Sequence, residues 1–110
     1  MDAGFYEIDG QRIKIDKVVG IYQVWTMGRL PFATYKIYVV QAPEGHYIAS
    51  PNVVVRNSET QCNEYVCGIG GSIEEAVRDA IHMFLNEVEK QANNKLNKEL
   101  DEEDFVWMHN

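Results

Sequence analysis

Residues 70–88 read GGSIEEAVRDAIHMFLNEV, and this stretch decides the fold. Ser72 is placed to cap a helix and Glu75, three residues on, to reach back to it, which makes a capping box at the start of the apolar periodicity. Ile73, Val77, Ala80, Ile81, Phe84 and Val88 then recur on one face of a 3.6-residue period. The opposite face carries Glu75, Asp79, His82 and Asn86, with Glu89 and Lys90 beside them. The pattern predicts one long amphipathic helix ending near Asn93-Asn94, because continuing the wheel would turn Leu100 to solvent.

Upstream, the periodicity changes from 3.6 to 2. Phe5 to Ile8 and Gln11 to Ile15 flank Asp9-Gly10, the signal for a two-residue hairpin turn. That register pairs Tyr6 with Ile13 and Glu7 with Arg12, and gathers Tyr6, Ile8, Ile13 and Ile15 on one face. Ile21 to Met27 alternates after Gly20, and Thr34 to Gln41 is rich in β-branched and aromatic residues, as a central strand is. The turn Ala42–Gly45 returns the chain through His46 to Ser50, with Pro51 marking a strand end or an edge kink. Val53 to Arg56 and Glu64 to Gly68 supply further strands. The expected class is α+β: an antiparallel sheet of four to six strands packed by one long helix, with a short acidic C-terminal segment. A single domain is expected over 1–110. It divides into a hairpin extension (1–33), a sheet-plus-helix core (34–92), and an acidic segment with a hydrophobic latch (93–110). Phe105-Val106-Trp107-Met108 is the latch, too apolar for a free tail.

The length of 110 residues suits one core. No apolar run is long enough to cross a bilayer, and MDAGFYEIDG lacks the features of a secretory leader, so a cytoplasmic protein without membrane contact is expected. The net charge of −7 is unevenly placed. Residues 1–73 hold seven acids against six bases, whereas residues 74–110 hold ten against four. Such a surface repels phosphate backbones and attracts a basic protein. The residues expected to meet that partner are Glu75, Asp79 and Glu89 on the helix and Asp101, Glu102, Glu103 and Asp104 beyond it. Trp25 and Tyr38 join them from the sheet, because a sheet covered by one helix leaves its second face open to aromatic contacts unless the hairpin or the latch covers it. Exposed edges and aromatics leave homodimerisation open to it.

Reactive constellations are sparse. Gly68-Ile69-Gly70-Gly71-Ser72 is neither G-x-G-x-x-G nor a P-loop, and Glu74 and Glu75 oppose a phosphate there, so the glycines read as a tight strand-to-helix connection. Glu75, Asp79 and His82 share a helical face at metal-ligand spacing, but no second cluster completes a shell. His46 and His109 read as turn and terminal residues. Cys62 and Cys67 have neither redox nor zinc spacing and read as reduced thiols, with Cys67 as a small buried hydrophobe. Ser72 is committed to capping, and Ser50 lies outside any nucleophile turn. The expectation is therefore no enzyme activity, no catalytic residue, no metal and no cofactor.

The run YKIYVVQ-APEG-HYIAS followed by GGSIEEAVRDAIHMFLNEV resembles the partly degraded RNase H-like domain of HicB-type antitoxins. The matching positions are Gly70 or Gly71, Ser72, Glu74, Glu75 and Ala76, and about half the chain is covered. Residues 1–33 precede the match and Asn57 to Asn63 form an insertion. The resemblance implies a domain that binds and silences a small basic toxin. CGIGGSIEEAVRDAIHMF also resembles the last strand and helix of a double-stranded RNA-binding domain. The alternative reading is a nucleic-acid-binding domain of that topology using its basic residues Lys14, Lys17, Arg29, Lys36 and Arg56. The family's lysine cluster is replaced here by Ile73-Glu74-Glu75, so nucleic acid is not the expected partner.

Overall fold

The computed structural model describes residues 1–95 and 99–108. Asp9 and Gly10 both take positive φ (52° and 77°), as the two-residue turn demands, and β1 (Gly4–Ile8) pairs antiparallel with β2 (Gln11–Ile15). The register matches Tyr6 to Ile13 and Glu7 to Arg12. On the other face the Arg12 guanidinium lies 4.3 Å from the centre of the Phe5 ring.

A second sheet follows in the order β3 (Val18–Trp25), β4 (Thr34–Gln41), β5 (Tyr47–Pro51), β8 (Gly68–Gly70). Gly20 sits at a bulge in the edge strand β3, where the pairing with β4 shifts register. The chain leaves this sheet at Asn52, which is buried. Its N–H donates to Lys36 O (2.9 Å), and its side-chain Oδ1 accepts from Lys36 N (2.9 Å). Past this corner β6 (Val53–Arg56) belongs to a third sheet, in the order β7 (Asn63–Glu64), β6, β9 (Phe105–Trp107). The expected antiparallel strands are therefore divided among three sheets. The expected strand from Glu64 to Gly68 is also divided: β7 closes on β6, β8 on β5, and Tyr65 to Cys67 cross between sheets.

The helix α1 (Ile73–Asn94) is capped as the sequence requires: Glu75 N–H donates to Ser72 Oγ (3.1 Å). It lies over β5 and β8 and reaches β4. Ala76, Ala80 and Phe84 are buried against Tyr35, Ile37, Val39 and Ala49 of the sheet and against Val53, Val55 and Phe105 of the third sheet. Each large apolar side chain removed from water here contributes about 1.5–3 kcal/mol. Phe32 joins the two sheets through edge-to-face contacts with Phe105 (5.0 Å) and Trp107 (4.9 Å). The C-terminal latch thus docks as strand β9, and Met108 N–H donates to Asn52 O (2.8 Å). Leu100, beyond the helix, is half-buried against the core.

Nothing in residues 1–17 belongs to the core or packs on it. The β1–β2 hairpin is an arm rather than a cover, and the molecule measures 48 × 32 × 21 Å. Its radius of gyration, 15.7 Å, exceeds the value of about 13 Å for a compact chain of this length.

Candidate partner-binding surfaces

The glycines before α1 serve contact rather than flexibility. A Cβ at Gly68 would stand 2.2 Å from both Ala76 O and Ala80 N, and one at Gly70 would stand 2.5 Å from Glu75 Cβ. Only a strand without these side chains lets the helix backbone lie directly on it. The first turns of the helix then hold the strand in place. Gly71 N–H donates to Glu75 Oε2 and Ile69 N–H to Asp79 Oδ2, both at 3.0 Å. Asp79 thereby takes an amide on the outer edge of β8 and closes that edge to further strand pairing.

Glu75 therefore reaches back as the capping spacing predicts, but to the amide of Gly71 rather than that of Ser72, whereas Asp79 has structural work that its spacing did not reveal. These partners are backbone amides rather than cations, and they fix the direction of both carboxylates. Farther along the same exposed stripe come His82, whose Nε2 lies 3.1 Å from Asn86 Nδ2, and Glu89. Glu74, on the flank, is paired with Arg78 (3.4 Å).

The acidic segment behaves differently. Asp101 caps a 3-10 turn over Glu102–Asp104, and Lys95 Nζ lies 2.8 Å from Asp104 Oδ2 and 4.0 Å from Asp101 Oδ2. Burial works to raise the Asp104 carboxyl. The hydrogen bonds from Lys95 and from the Asp101 backbone N–H, together with the Lys95 charge, outweigh it and hold the group below the usual carboxylate range. The same hydrogen bond from Lys95 to Asp104 raises Lys95 above its ordinary value against the pull of desolvation. Asp101 and Asp104 are thus partly neutralised by one lysine. Glu102 and Glu103 are exposed. This turn adjoins the C-terminal end of α1, about 24 Å from Asp79 along the axis, so the acidic residues form two patches joined by Glu89.

Trp25 and Tyr38 do not share this surface. The register places Val18, Ile21, Gln23 and Trp25 of β3 on the face away from α1. Thr34, Lys36, Tyr38 and Val40 of β4, Ile48 and Ser50 of β5, and Ile69 of β8 lie there with them. Lys36 is the single charge in that set. Trp25, Ile21 and Ile69 are more than half exposed (62%, 57% and 56%) and Tyr38 is half-buried, so neither the arm nor the latch covers this face. The expected partner-binding residues thus divide between two opposite sides of the molecule.

Cys67 corrects another expectation. Gly68, not Cys67, faces the helix, and Cys67 is exposed. Both thiols are free. Among the described residues no three His, Cys, Asp or Glu side chains gather as a metal site, and no helix is long and apolar enough to cross a membrane. The basic residues of the alternative reading lie on separate elements: Lys14 on β2, beside Asp16 (3.7 Å), Lys17 just before β3, Arg29 in the β3–β4 loop, Lys36 on β4 and Arg56 on β6. Residues 96–98 and His109 lie outside the described residues.

Sequence reasoning missed Gln91, which is fully buried in the last turns of α1. It donates to Glu87 Oε2 (2.9 Å) and accepts from Ser58 N–H (2.8 Å), tying the loop after β6 to the helix. No local pattern marks such a residue, since its partner lies 33 positions away.

No protein-family model matches the chain, and no curated protein or solved structure matches it significantly. The resemblance to HicB-type antitoxins therefore rests on the residues quoted for it alone.

Proposed function

We propose that the protein is a non-enzymatic acidic binding module that holds and neutralises a basic protein, in the manner of an antitoxin or of an inhibitor that imitates nucleic acid. The observation that carries this reading is the segregation of charge. The stripe of α1 and the adjoining turn present exposed carboxylates, whereas the opposite sheet face has none. The amide hydrogen bonds to Glu75 and Asp79 favour it further, because oriented carboxylates lose less side-chain freedom on binding. Glu89, Glu102 and Glu103 complete the surface. Asp101 and Asp104 contribute less, since Lys95 offsets them. Each exposed pair with a partner cation is worth about 0.2–1 kcal/mol, so the set acts mainly on association rate and selectivity.

The test is capture by the immobilised full chain from a lysate, eluted by rising salt and compared with the triple variant Glu89→Gln, Glu102→Gln, Glu103→Gln. The reading requires a basic polypeptide that elutes as ionic strength passes from about 0.15 M toward 1 M and is depleted by the triple variant. A captured protein that resists salt, survives the triple variant and is lost with Trp25→Ala refutes it.

A further inference from the structure

We infer that the β1–β2 arm docks on the uncovered sheet face of a second copy of this chain, so that two molecules exchange arms in a symmetric dimer. Two features of the fold are left incomplete in one chain, and each fits the other. The arm carries Tyr6, Ile8, Ile13 and Ile15 on one face, yet nothing in it touches the core. A lone two-stranded hairpin is marginal in water and needs a further apolar layer. The second incomplete feature is the face of β3, β4, β5 and β8, with Ile21 and Ile69 more than half exposed. Stacked sheets pack at about 10 Å, and the arm supplies a second layer of that kind with its charged face turned to water.

Charge favours this occupant. The chain as a whole is at −7, but residues 1–17 hold four acids against three bases, and the receiving face holds Lys36 and no carboxylate. Two copies therefore meet without opposing their acidic surfaces, which remain outward on α1. In a two-fold arrangement the same contact occurs twice. Each arm covers roughly 250–300 Å², so two arm–sheet contacts bury on the order of 1,000 Å² in total, the lower bound of a specific interface.

Sedimentation equilibrium of the full chain from about 1 to 200 µM tests the assignment, with circular dichroism as the check on folding. The parent protein passes from its 12.6 kDa chain mass to twice that mass. Ile8→Asp on the arm and Ile69→Asp on the sheet, both at exposed positions (44% and 56%), each remain monomeric at the top of the range. Ile21→Asp, also exposed, repeats the sheet result at a second position. A parent that stays monomeric overturns the inference. A dimer that persists in Ile8→Asp overturns it too, and assigns the sheets to direct stacking instead.

Discussion

Replacing Gly68 by alanine adds one methyl group where the helix backbone lies. The new Cβ would stand 2.2 Å from Ala76 O and Ala80 N and 2.8 Å from Ala80 Cα. Ordinary contact needs about 3.5 Å, so α1 must lift from β8 by roughly 1 Å. No rotamer relieves this, because the opposing atoms are main chain. The φ of Gly68 is not positive, so the cost is purely one of space. Overpacking costs about 1–3 kcal/mol, occasionally more, and a backbone clash belongs at the top of that range. Lifting the helix also strains the Ile69–Asp79 hydrogen bond. A loss of about 3 kcal/mol lowers the midpoint of thermal unfolding by roughly 10–20 °C in a domain of this size. Gly71→Ala is the control, since its Cβ would meet only Glu75 Oε2, at 3.5 Å. Urea and thermal unfolding followed by circular dichroism measure both. A Gly68→Ala protein within about 0.5 kcal/mol of the parent refutes the direct strand-on-helix contact.

Phe105→Ala removes the buried anchor of β9 and costs about 3–5 kcal/mol in urea unfolding, with loss of the aromatic contact to Phe32. Burial pushes the Tyr35 phenol up to about 12 from 10.0. A folded value above the unfolded one means that its contribution is fully present below pH 10 and is lost as pH rises toward 12. That loss is about 2.7 kcal/mol, and Tyr35→Phe removes it from the pH profile. Asp104 shifts the opposite way. Its folded value lies below the unfolded one, so its stabilisation is present above about pH 4 and fades as pH falls through the lowered value. The stability gap between parent and Asp104→Asn is therefore wide at pH 7 and narrows in acid.

The features legible in the sequence are those whose partners are local. Asp9-Gly10 fixes the hairpin register because a two-residue turn allows one pairing, and Ser72 with Glu75 fixes the start of α1 because both cap groups lie within one turn. The same locality explains the misreadings. Tyr65-Val66-Cys67 alternates like a strand, but its pairing is set by the distant corner at Asn52, which moves β6 into another sheet. Cys67 reads as buried because a free cysteine behaves as a small hydrophobe, whereas the close approach to the helix belongs to Gly68. Asp79 appeared free to meet a partner because its acceptor role toward Ile69 spans ten residues and a change of element. The open sheet face was legible in outline from its aromatics. That it opposes the acidic stripe depends on the register of four strands and on which side α1 covers.

Carbodiimide labelling of carboxylates, read residue by residue by mass spectrometry, tests the central claim most directly. The full chain is labelled alone and then saturated with its captured basic partner. The account predicts that Glu89, Glu102 and Glu103 lose most of their labelling on binding, with Glu75 and Asp79 following, while Trp25 keeps its reactivity toward an oxidative footprint. Unchanged labelling of those carboxylates, with protection of Trp25 instead, contradicts it.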